Sequence, residues 1–299
     1  MENFKSGFVS IIGKTNVGKS TMLNAIIGEQ VSITTSKPQT TRTAIKGIVN
    51  RDNSQIVFID TPGIHKAKNK FGEAITNIAY DALGEVDVIL FLIEATYKEI
   101  GKADRIILEK LKEKNKKVIL VINKIDLAPK ENLLKLIEIY RKEYDFKAVV
   151  PISALKKKEL DILLDEIEKL LPTGPAYYSQ DEYTDQTERQ IVEEVVREKC
   201  LKLLNDEIPH GIYVRVEKME LRKTTKGKDI YDIDINIYCI RNSHKGIIIG
   251  KDGNMLKRIA SYSRQKIEAM LGIKVNMNIW VKVQEDWQNN ESIIKSFKN

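Results

Sequence analysis

Cysteine is scarce in this sequence, and long hydrophobic runs are missing. Its 299 residues include two cysteines, Cys200 and Cys239, which lack the close spacing of a metal-binding pair or a redox motif. A disulfide scaffold is therefore not expected, and so little cysteine predicts a reducing cytoplasm. No stretch approaches the roughly 20 apolar residues of a membrane-spanning helix, and the first residues show no apolar signal segment. The length fits two domains of ordinary size.

The positive charge of the chain is concentrated in one window. The net charge is +7, and residues 241–282 contain nine Lys and Arg against two acids, so this window accounts for the whole excess. Such a concentration favours contact with a polyanion, and nucleic acid is the first candidate. An anionic membrane surface and a merely solvated basic face are the alternatives.

Strand-like and helix-like segments alternate from residue 7 to residue 171, which predicts a doubly wound α/β sheet with helices on both faces. The later strands are almost continuously apolar, as expected when both faces of a sheet are covered. The predicted strands are 7–13, 45–50, 54–60, 86–93, 117–122 and 147–152, and the predicted helices are 18–27, 70–84, 102–114, 130–144 and 158–171.

The segment 172–175, Pro-Thr-Gly-Pro, ends this pattern and marks a domain boundary. We predict a first domain over 1–172, a polar linker over 173–187 and a second, α+β domain over 188–299 that ends in a polar tail. The second domain is predicted as helix 188–205, strands 211–220 and 230–240, helix 243–249, turn 250–253, helix 254–271 and strand 273–283.

Residues 13–20 read GKTNVGKS, directly after a predicted strand and directly before a predicted helix. The glycines let successive backbone N–H groups point at phosphate oxygens, and the helix adds its positive N-terminal end. Lys19 is expected to neutralise the β- and γ-phosphates, and Ser20 to bind Mg²⁺. The predicted nucleotide contacts here are Gly13, Lys14, Thr15, Asn16, Val17, Gly18, Lys19, Ser20 and Thr21.

A second element, Asp60, Thr61, Pro62 and Gly63, follows the apolar strand 54–60. Ligands of doubly wound folds lie at the carboxyl ends of the strands, so the Asp60 carboxylate can hold Mg²⁺ through a water molecule. The backbone N–H of Gly63 can bind a γ-phosphate. Loss of that phosphate would release the loop behind Gly63.

Two further elements predict specificity for guanine. Asn123, Lys124 and Asp126 end the strand 117–122, and the Asp126 carboxylate can accept hydrogen bonds from both N1–H and the exocyclic amine of guanine. Adenine offers no such pair, and a buried acceptor without a partner rejects the wrong base. Ser153 and Ala154, after the next strand, can present backbone N–H groups to the guanine oxygen.

These four elements, in this order at four strand ends, resemble the translation-factor-related class of small GTPases over residues 7–171. By this resemblance the segment from Lys37 to Arg42 is the effector loop, and Thr41 is its Mg²⁺ ligand, with Thr40 the second choice. Ile64 stands where many signalling GTPases carry the glutamine that orients the attacking water.

In the resembling families an asparagine at the place of Asn16 accompanies a potassium ion near the phosphates. The resemblance therefore implies slow, potassium-stimulated hydrolysis, with Asn16, Thr41 and Gly63 forming the catalytic set. His65 is a weaker candidate for a base, because an exposed loop histidine rarely has that role.

The basic window contains a G-x-x-G turn from Gly250 to Gly253, between a short apolar helix and a longer one. Such a turn is weak evidence alone, but two strands before it and one after it give the order of a type II KH domain, which binds RNA through this turn. Asp252 subtracts one charge from the turn, and Lys266 recurs on the basic helix. The predicted RNA contacts are Ile249, Gly250, Lys251, Gly253, Lys257, Arg258 and Arg264.

One GTPase domain followed by one KH domain, with the segments 244–251 and 279–287, closely resembles the Era family of bacterial GTPases over nearly the full chain. The resemblance implies binding of 16S rRNA near its 3′ end and assistance in assembly of the small ribosomal subunit (30S). It implies that GTP favours RNA binding and that hydrolysis to GDP releases the RNA. It also implies peripheral association with the inner face of the cell membrane, and we expect a cytoplasmic monomer.

Alternative functions make distinct demands on the sequence. A tandem ribosome-assembly GTPase needs a second P-loop and a second guanine motif, and this chain has one of each. A P-loop kinase would lack the guanine motif at Asn123 to Asp126. A non-catalytic RNA-binding scaffold that holds GTP mainly as a structural ligand stays open, because the usual water-orienting residue is absent.

Overall fold

The computed structural model describes residues 4–35, 37, 41–63, 69–81, 84, 86–114, 116–205 and 208–297. The chain divides into two compact units, the first extending to Asp185 and the second running from Gln186 to Phe297. Among the residues so described, no helix is long and apolar enough to cross a membrane.

The first unit is a six-stranded sheet with helices on both faces. Its strands are β1 (Lys5–Gly13), β2 (Ile45–Arg51), β3 (Ser54–Asp60), β4 (Val88–Glu94), β5 (Lys117–Asn123) and β6 (Ala148–Pro151), and its α-helices are α1 (Lys19–Ile27), α2 (Lys70–Asp81), α3 (Lys102–Lys114), α4 (Lys130–Glu143) and α5 (Leu160–Leu170). The strand order is β2-β3-β1-β4-β5-β6, with β2 antiparallel to β3 and all other pairs parallel. The order reverses between β1 and β4, where such folds bind ligands.

Alternate residues of the central strands belong to two different cores. Ile11 and Leu90 pack in the core that includes α1 and α5, whereas Ile12 and Phe91 pack in the core that includes α3 and α4. Because both faces are covered, these strands have no polar side, as their continuous apolar sequence predicts. The predicted doubly wound α/β fold is confirmed.

The segment that follows α5 is bound to the first unit. Gln55, on β3, has a fully buried side chain whose Oε1 accepts hydrogen bonds from the backbone N–H groups of Tyr177 (2.7 Å) and Tyr178 (3.0 Å). Its Nε2 donates to the Tyr178 carbonyl at 2.8 Å. Further along, the Ile48 N–H of the edge strand β2 donates to the Tyr183 carbonyl at 2.9 Å. Residues 172–185, which we call the strap, therefore lie on the sheet.

The second unit packs three helices, α6 (Glu188–Leu203), α7 (Asn242–Ile249) and α8 (Asn254–Leu271), against a three-stranded sheet. Its strands are β7 (Ile212–Lys223), β8 (Asp229–Cys239) and β9 (Lys274–Val283), and the helix α9 (Glu291–Lys295) follows them in the chain. The sheet order is β7-β8-β9, with β7 antiparallel and β9 parallel to β8. Val196, Ile235 and Ile259 are fully buried in its core. The predicted α+β arrangement of a KH domain is confirmed.

The tail after Asp286 is folded onto the second unit. Trp287 is fully buried, its indole N–H donates to the Gly211 carbonyl at 3.0 Å, and its ring meets that of Tyr213 edge to face with 4.9 Å between centroids. Arg215 lies over the Phe297 ring, 4.6 Å from its centroid. Aromatic packing thus fixes a tail that is mostly polar.

We predict that Gln55→Ala releases the strap. Loss of three partly buried hydrogen bonds should lower the free energy of unfolding of the first unit by about 2 kcal/mol. It should also speed hydrogen exchange at the N–H groups of Tyr177 and Tyr178, measured by mass spectrometry. Asn53→Ala, at an exposed turn position, is the control. Unchanged exchange at both tyrosines would contradict the proposed role of Gln55.

Candidate nucleotide and RNA sites

The loop between β1 and α1 has a backbone that requires glycine at two positions. Gly13 has φ 151° and Gly18 has φ 100°. A Cβ atom would lie 2.5 Å from the Leu92 carbonyl oxygen at Gly13, and 2.2 Å from the Asn123 side-chain nitrogen at Gly18. Both glycines are therefore needed for the curled backbone that turns N–H groups towards a bound anion.

Lys19, at the start of α1, places a buried cation in this loop. Its side chain is 7% exposed, and Nζ donates to the carbonyl oxygens of Gly13 (3.1 Å) and Lys14 (2.8 Å). Burial lowers the pKa of Lys19 to about 8, and the charge of Asp60 opposes that shift. A phosphate anion beside Nζ would stabilise the charged form further.

Three oxygen-bearing side chains converge next to Lys19. The hydroxyl of Ser20 donates to Asp60 Oδ2 at 2.7 Å and lies 3.1 Å from the hydroxyl of Thr41. The other carboxylate oxygen of Asp60 is buried without a hydrogen-bond partner among the described residues. Burial raises the pKa of Asp60, so a cation beside this carboxylate would favour its ionised form. Hard oxygen donors of this kind fit Mg²⁺.

Ser32 joins this cluster, and the sequence analysis did not predict it. Its hydroxyl donates to Asp60 Oδ2 at 2.8 Å. Asn24, on α1, holds the segment in place, since its Oδ1 accepts from the N–H groups of Val31 (3.0 Å) and Ser32 (2.9 Å). No motif surrounds Ser32, so only the fold reveals it.

The element after β3 lies against the phosphate loop. The Thr61 hydroxyl is buried and donates to the Ile11 carbonyl at 2.8 Å. A Cβ atom at Gly63 would lie 2.7 Å from the Thr15 side chain, so the two backbones are in close approach. Ile64 and His65, and residues 38–40 of the predicted effector loop, lie outside the described residues.

Asn123 joins the predicted base-binding loops to the phosphate loop. Its Nδ2 donates to the Val17 carbonyl at 2.9 Å, and its Oδ1 accepts from the Ala154 N–H at 3.0 Å. Lys124 Nζ donates to the Asn16 carbonyl at 2.9 Å and forms an ion pair with Glu94 at the end of β4. Glu94 lies outside every predicted motif.

Asp126 carries an ionised carboxylate at the mouth of the site. The Ser153 hydroxyl donates to Asp126 Oδ1 at 2.5 Å, and this hydrogen bond lowers the pKa of Asp126. The ionised form can only accept hydrogen bonds, which matches the two donors on the guanine edge.

Many of these groups line one cavity of about 610 Å³. Leu127 and Leu155, which are 64% and 75% exposed, also line it and offer apolar surface to a base. The predicted residues that line it are Thr15, Asn16, Gly18, Lys19, Ser20, Thr21, Thr41, Gly63, Asn123, Lys124, Asp126, Ser153 and Ala154. The predicted residues absent from the lining are Gly13, Lys14, Val17, Asp60, Thr61 and Pro62.

In the second unit, the turn from Gly250 to Gly253 joins α7 to α8 as predicted. Both glycines have φ 73°; a Cβ atom at Gly250 would lie 2.7 Å from that of Met255, whereas at Gly253 nothing lies within 4 Å. Asp252 adopts φ 54° without being glycine. Lys251 is exposed at the tip of the turn, where it can meet a phosphate.

The basic helix α8 presents most of its predicted cations to solvent. Lys257, Arg258 and Arg264 are exposed. Lys266 points inward instead and forms an ion pair with Glu198 of α6, which is 2% exposed. Lys199 and Lys202 of α6 pair with the same carboxylate, so Lys266 belongs to a buried charge cluster and differs from the exposed cations of α8.

The fold and the two sites define a P-loop nucleotide-binding unit joined to a KH unit. A family model described as "50S ribosome-binding GTPase" matches residues 8–124, and a "KH domain" model matches residues 207–288. GTPase Era of Thermoanaerobacter sp. (strain X514) is 50% identical over 97% of this chain and 95% of its own length. GTPase Era of Clostridium botulinum (strain Langeland) is 51% identical over 98% of this chain and 97% of its own. The chain belongs to the Era family of GTPases.

Two solved structures are similar to this one over almost the whole chain. A variant of Aquifex aeolicus Era bound to GDP.AlF4- is 40% identical, with a TM-score of 0.93, and the match covers 98% of this chain and 99% of that one. Era in complex with MgGDPNP and nucleotides 1506–1542 of 16S ribosomal RNA is 41% identical, with a TM-score of 0.93 and 98% coverage of both chains.

The loop after Ala154 holds two non-glycine residues in left-handed backbone. Lys157 has φ 52° and Glu159 has φ 61°, while Ser153 and Lys158 exchange backbone hydrogen bonds of 3.2 and 3.0 Å. We predict that Lys157→Gly raises the free energy of unfolding of the first unit by about 1 kcal/mol, because glycine adopts this conformation without strain.

Urea denaturation of the Lys157→Gly variant checks this prediction. Lys156→Gly is the matched control, since Lys156 is exposed in the same loop without a positive φ. Equal effects of the two substitutions would show that strain at Lys157 is not the cause.

Proposed function

We propose that this chain hydrolyses GTP to GDP and phosphate, binds 16S rRNA near its 3′ end through its KH unit, and assists assembly of the small ribosomal subunit. The observation that carries the proposal is that one cavity is lined by Lys19, Ser20, Thr41 and Asp126, with the Asp60 carboxylate hydrogen-bonded to Ser20 behind the lining. Membership of the Era family supports the RNA partner, because a related Era was solved with that RNA segment.

Each part of the site has a defined task. Lys19 offsets the charge of the β- and γ-phosphates, and the N–H of Gly63 binds the γ-phosphate. Ser20, Thr41 and Asp60 would hold Mg²⁺, with Asp60 acting through a water molecule. The ion, when bound, offsets the charge that develops on the phosphates. Asp126 and Ser153 select guanine.

Hydrolysis is proposed to be slow and stimulated by potassium. Position 64 is isoleucine, so no glutamine is available there to orient water. Asn16 lines the cavity with φ 65°, in the loop that surrounds the phosphates. A potassium ion held by Asn16 would supply positive charge at the transition state.

The proposal also covers how the chain works in the cell. We expect it to act as a cytoplasmic monomer, and the family resemblance implies peripheral contact at the inner face of the membrane. GTP favours the RNA-bound form, and hydrolysis releases the loops at Thr41 and Gly63 and then the RNA.

We predict that single-turnover hydrolysis of GTP is about tenfold faster or more in potassium than in sodium buffer, because the ion stabilises developing charge. Asn16→Ala should remove the difference, whereas the surface control Asn53→Ala should keep it. Equal rates in the two salts would eliminate the potassium site. If no hydrolysis occurs in potassium or in sodium buffer, with or without RNA, the alternative function is favoured, an RNA-binding scaffold in which GTP is a structural ligand.

We predict that binding of a 3′-terminal 16S rRNA fragment weakens steeply with salt. Replacement of Lys257, Arg258 and Arg264 by alanine together should lower the affinity and reduce the slope of log K against log salt by about 2, since each phosphate contact on a single strand contributes about 0.7. Filter binding or fluorescence anisotropy at several salt concentrations measures both quantities.

The control for this experiment removes three exposed cations from the first unit, Lys114, Lys130 and Arg141. It should leave the slope unchanged. A flat salt profile for the wild type, or equal slopes for the α8 variant and the wild type, would contradict phosphate binding by α8.

A further inference from the structure

Lys14 belongs to the phosphate loop, yet its side chain leaves the nucleotide cavity. Its Nζ forms an ion pair of 2.6 Å with Asp104 of α3 and lies over the Tyr97 ring, 4.4 Å from the centroid. Gly101 leaves the space for this contact, since a Cβ atom there would lie 2.7 Å from Nζ. The lysine is thus held by an acid and a ring, in space left by a glycine, and these three residues belong to none of the nucleotide motifs.

Asp104 is a fully buried carboxylate in the first turn of α3. Tyr140 of α4, also fully buried, donates its hydroxyl to Asp104 Oδ2 at 3.1 Å. A buried carboxylate is costly without a counter-charge, and an apolar residue would pack α3 on α4 at least as well. Packing alone therefore does not account for an acid at position 104.

The backbone of Lys14 connects Asp104 to the phosphate-binding cation. The carbonyl oxygen of Lys14 accepts a hydrogen bond from Lys19 Nζ at 2.8 Å. Any displacement of the Lys14 backbone would move the acceptor that orients Lys19. The side chain of Lys14, anchored at Asp104, restrains that displacement.

The phosphate loop has side-chain anchors at two other places. Lys124 donates to the Asn16 carbonyl, and Asn123 donates to the Val17 carbonyl. Both of these belong to the guanine motif and hold the end of the loop near the base. Asp104 holds the opposite end, next to β1, through Lys14.

We propose that Asp104, supported by Tyr140, is a positioning residue that keeps the phosphate loop in its anion-binding shape through the side chain of Lys14. The inference rests on the proposed function only in taking a guanine nucleotide as the ligand. It predicts a loss of affinity for the β-phosphate, without loss of selectivity for the base.

The test compares Asp104→Asn and Lys14→Met with the wild-type full-length protein. The first substitution keeps the shape of the side chain but removes its charge, and the second keeps an apolar stem over the Tyr97 ring. Each substitution should raise the Kd for GDP and the KM for GTP by about tenfold, because the loop shifts relative to the phosphates. The Kd for GMP, which lacks the β-phosphate, and the ratio of GDP to IDP affinity should stay unchanged.

The double variant should bind GDP no more weakly than either single variant, since both substitutions break one linkage. Asp145→Asn is the matched control, because that carboxylate is 92% exposed and takes no part in the linkage between Asp104 and Lys14. If Asp104→Asn does not fold, Lys14→Met and Tyr140→Phe carry the test, with Tyr140→Phe expected to show a smaller rise in Kd.

Folded variants with wild-type Kd for GDP would overturn the inference, and so would equal losses for GDP and GMP. Additive losses in the double variant would overturn it as well. Failure of the wild-type protein to bind GDP or GTP would instead contradict the proposed function, before any variant is compared.

Discussion

Two opposite charges are buried at one edge of the sheet, and the rest of the nucleotide site provides the polar partners that they need. Lys19 is 7% exposed and Asp60 is fully buried, so neither can rely on water. Loop carbonyls accept from Lys19, and three hydroxyls surround one oxygen of Asp60. The left-handed glycines, the anchors on the loop and the reversal of strand order all serve to hold these partners. These contacts hold the charged groups in fixed positions, which is what electrostatic stabilisation of a transition state requires.

The fold was largely predictable because its causes are local in sequence. Continuous apolar strands such as Val88–Glu94 indicate a sheet covered on both faces, and the glycines at 13 and 18 are required by backbone geometry. The motif side chains follow strand ends, so the topology brings them together without further information. The same reasoning located the turn at Gly250, since its neighbours have helical and strand periods.

The partners of those motif residues could not be predicted, because they come from segments without a pattern of their own. Ser32, Glu94 and Asp104 reach the site only through the packing of their elements. The direction of Lys266 depends on Glu198 from another helix, which periodicity within α8 cannot reveal. Likewise, the strap has no period, and it is Gln55, in the interior of β3, that gives its backbone a place to bind.

Tryptophan occurs in only one of the two units, so the units differ in their absorbance and fluorescence. Both tryptophans, Trp280 and Trp287, belong to the second unit, whereas the large aromatic residues of the first unit are tyrosine and phenylalanine. Trp287 is fully buried beside Tyr213, whereas Trp280 is 48% exposed on β9. Light at wavelengths that only indole absorbs therefore reports on the second unit. Its signal comes from one ring shielded from water, Trp287, and one ring exposed to water, Trp280. Tryptophan fluorescence therefore follows unfolding of the second unit, while circular dichroism follows the secondary structure of both units. Comparison of the two signals matters because a two-unit chain need not unfold in one step.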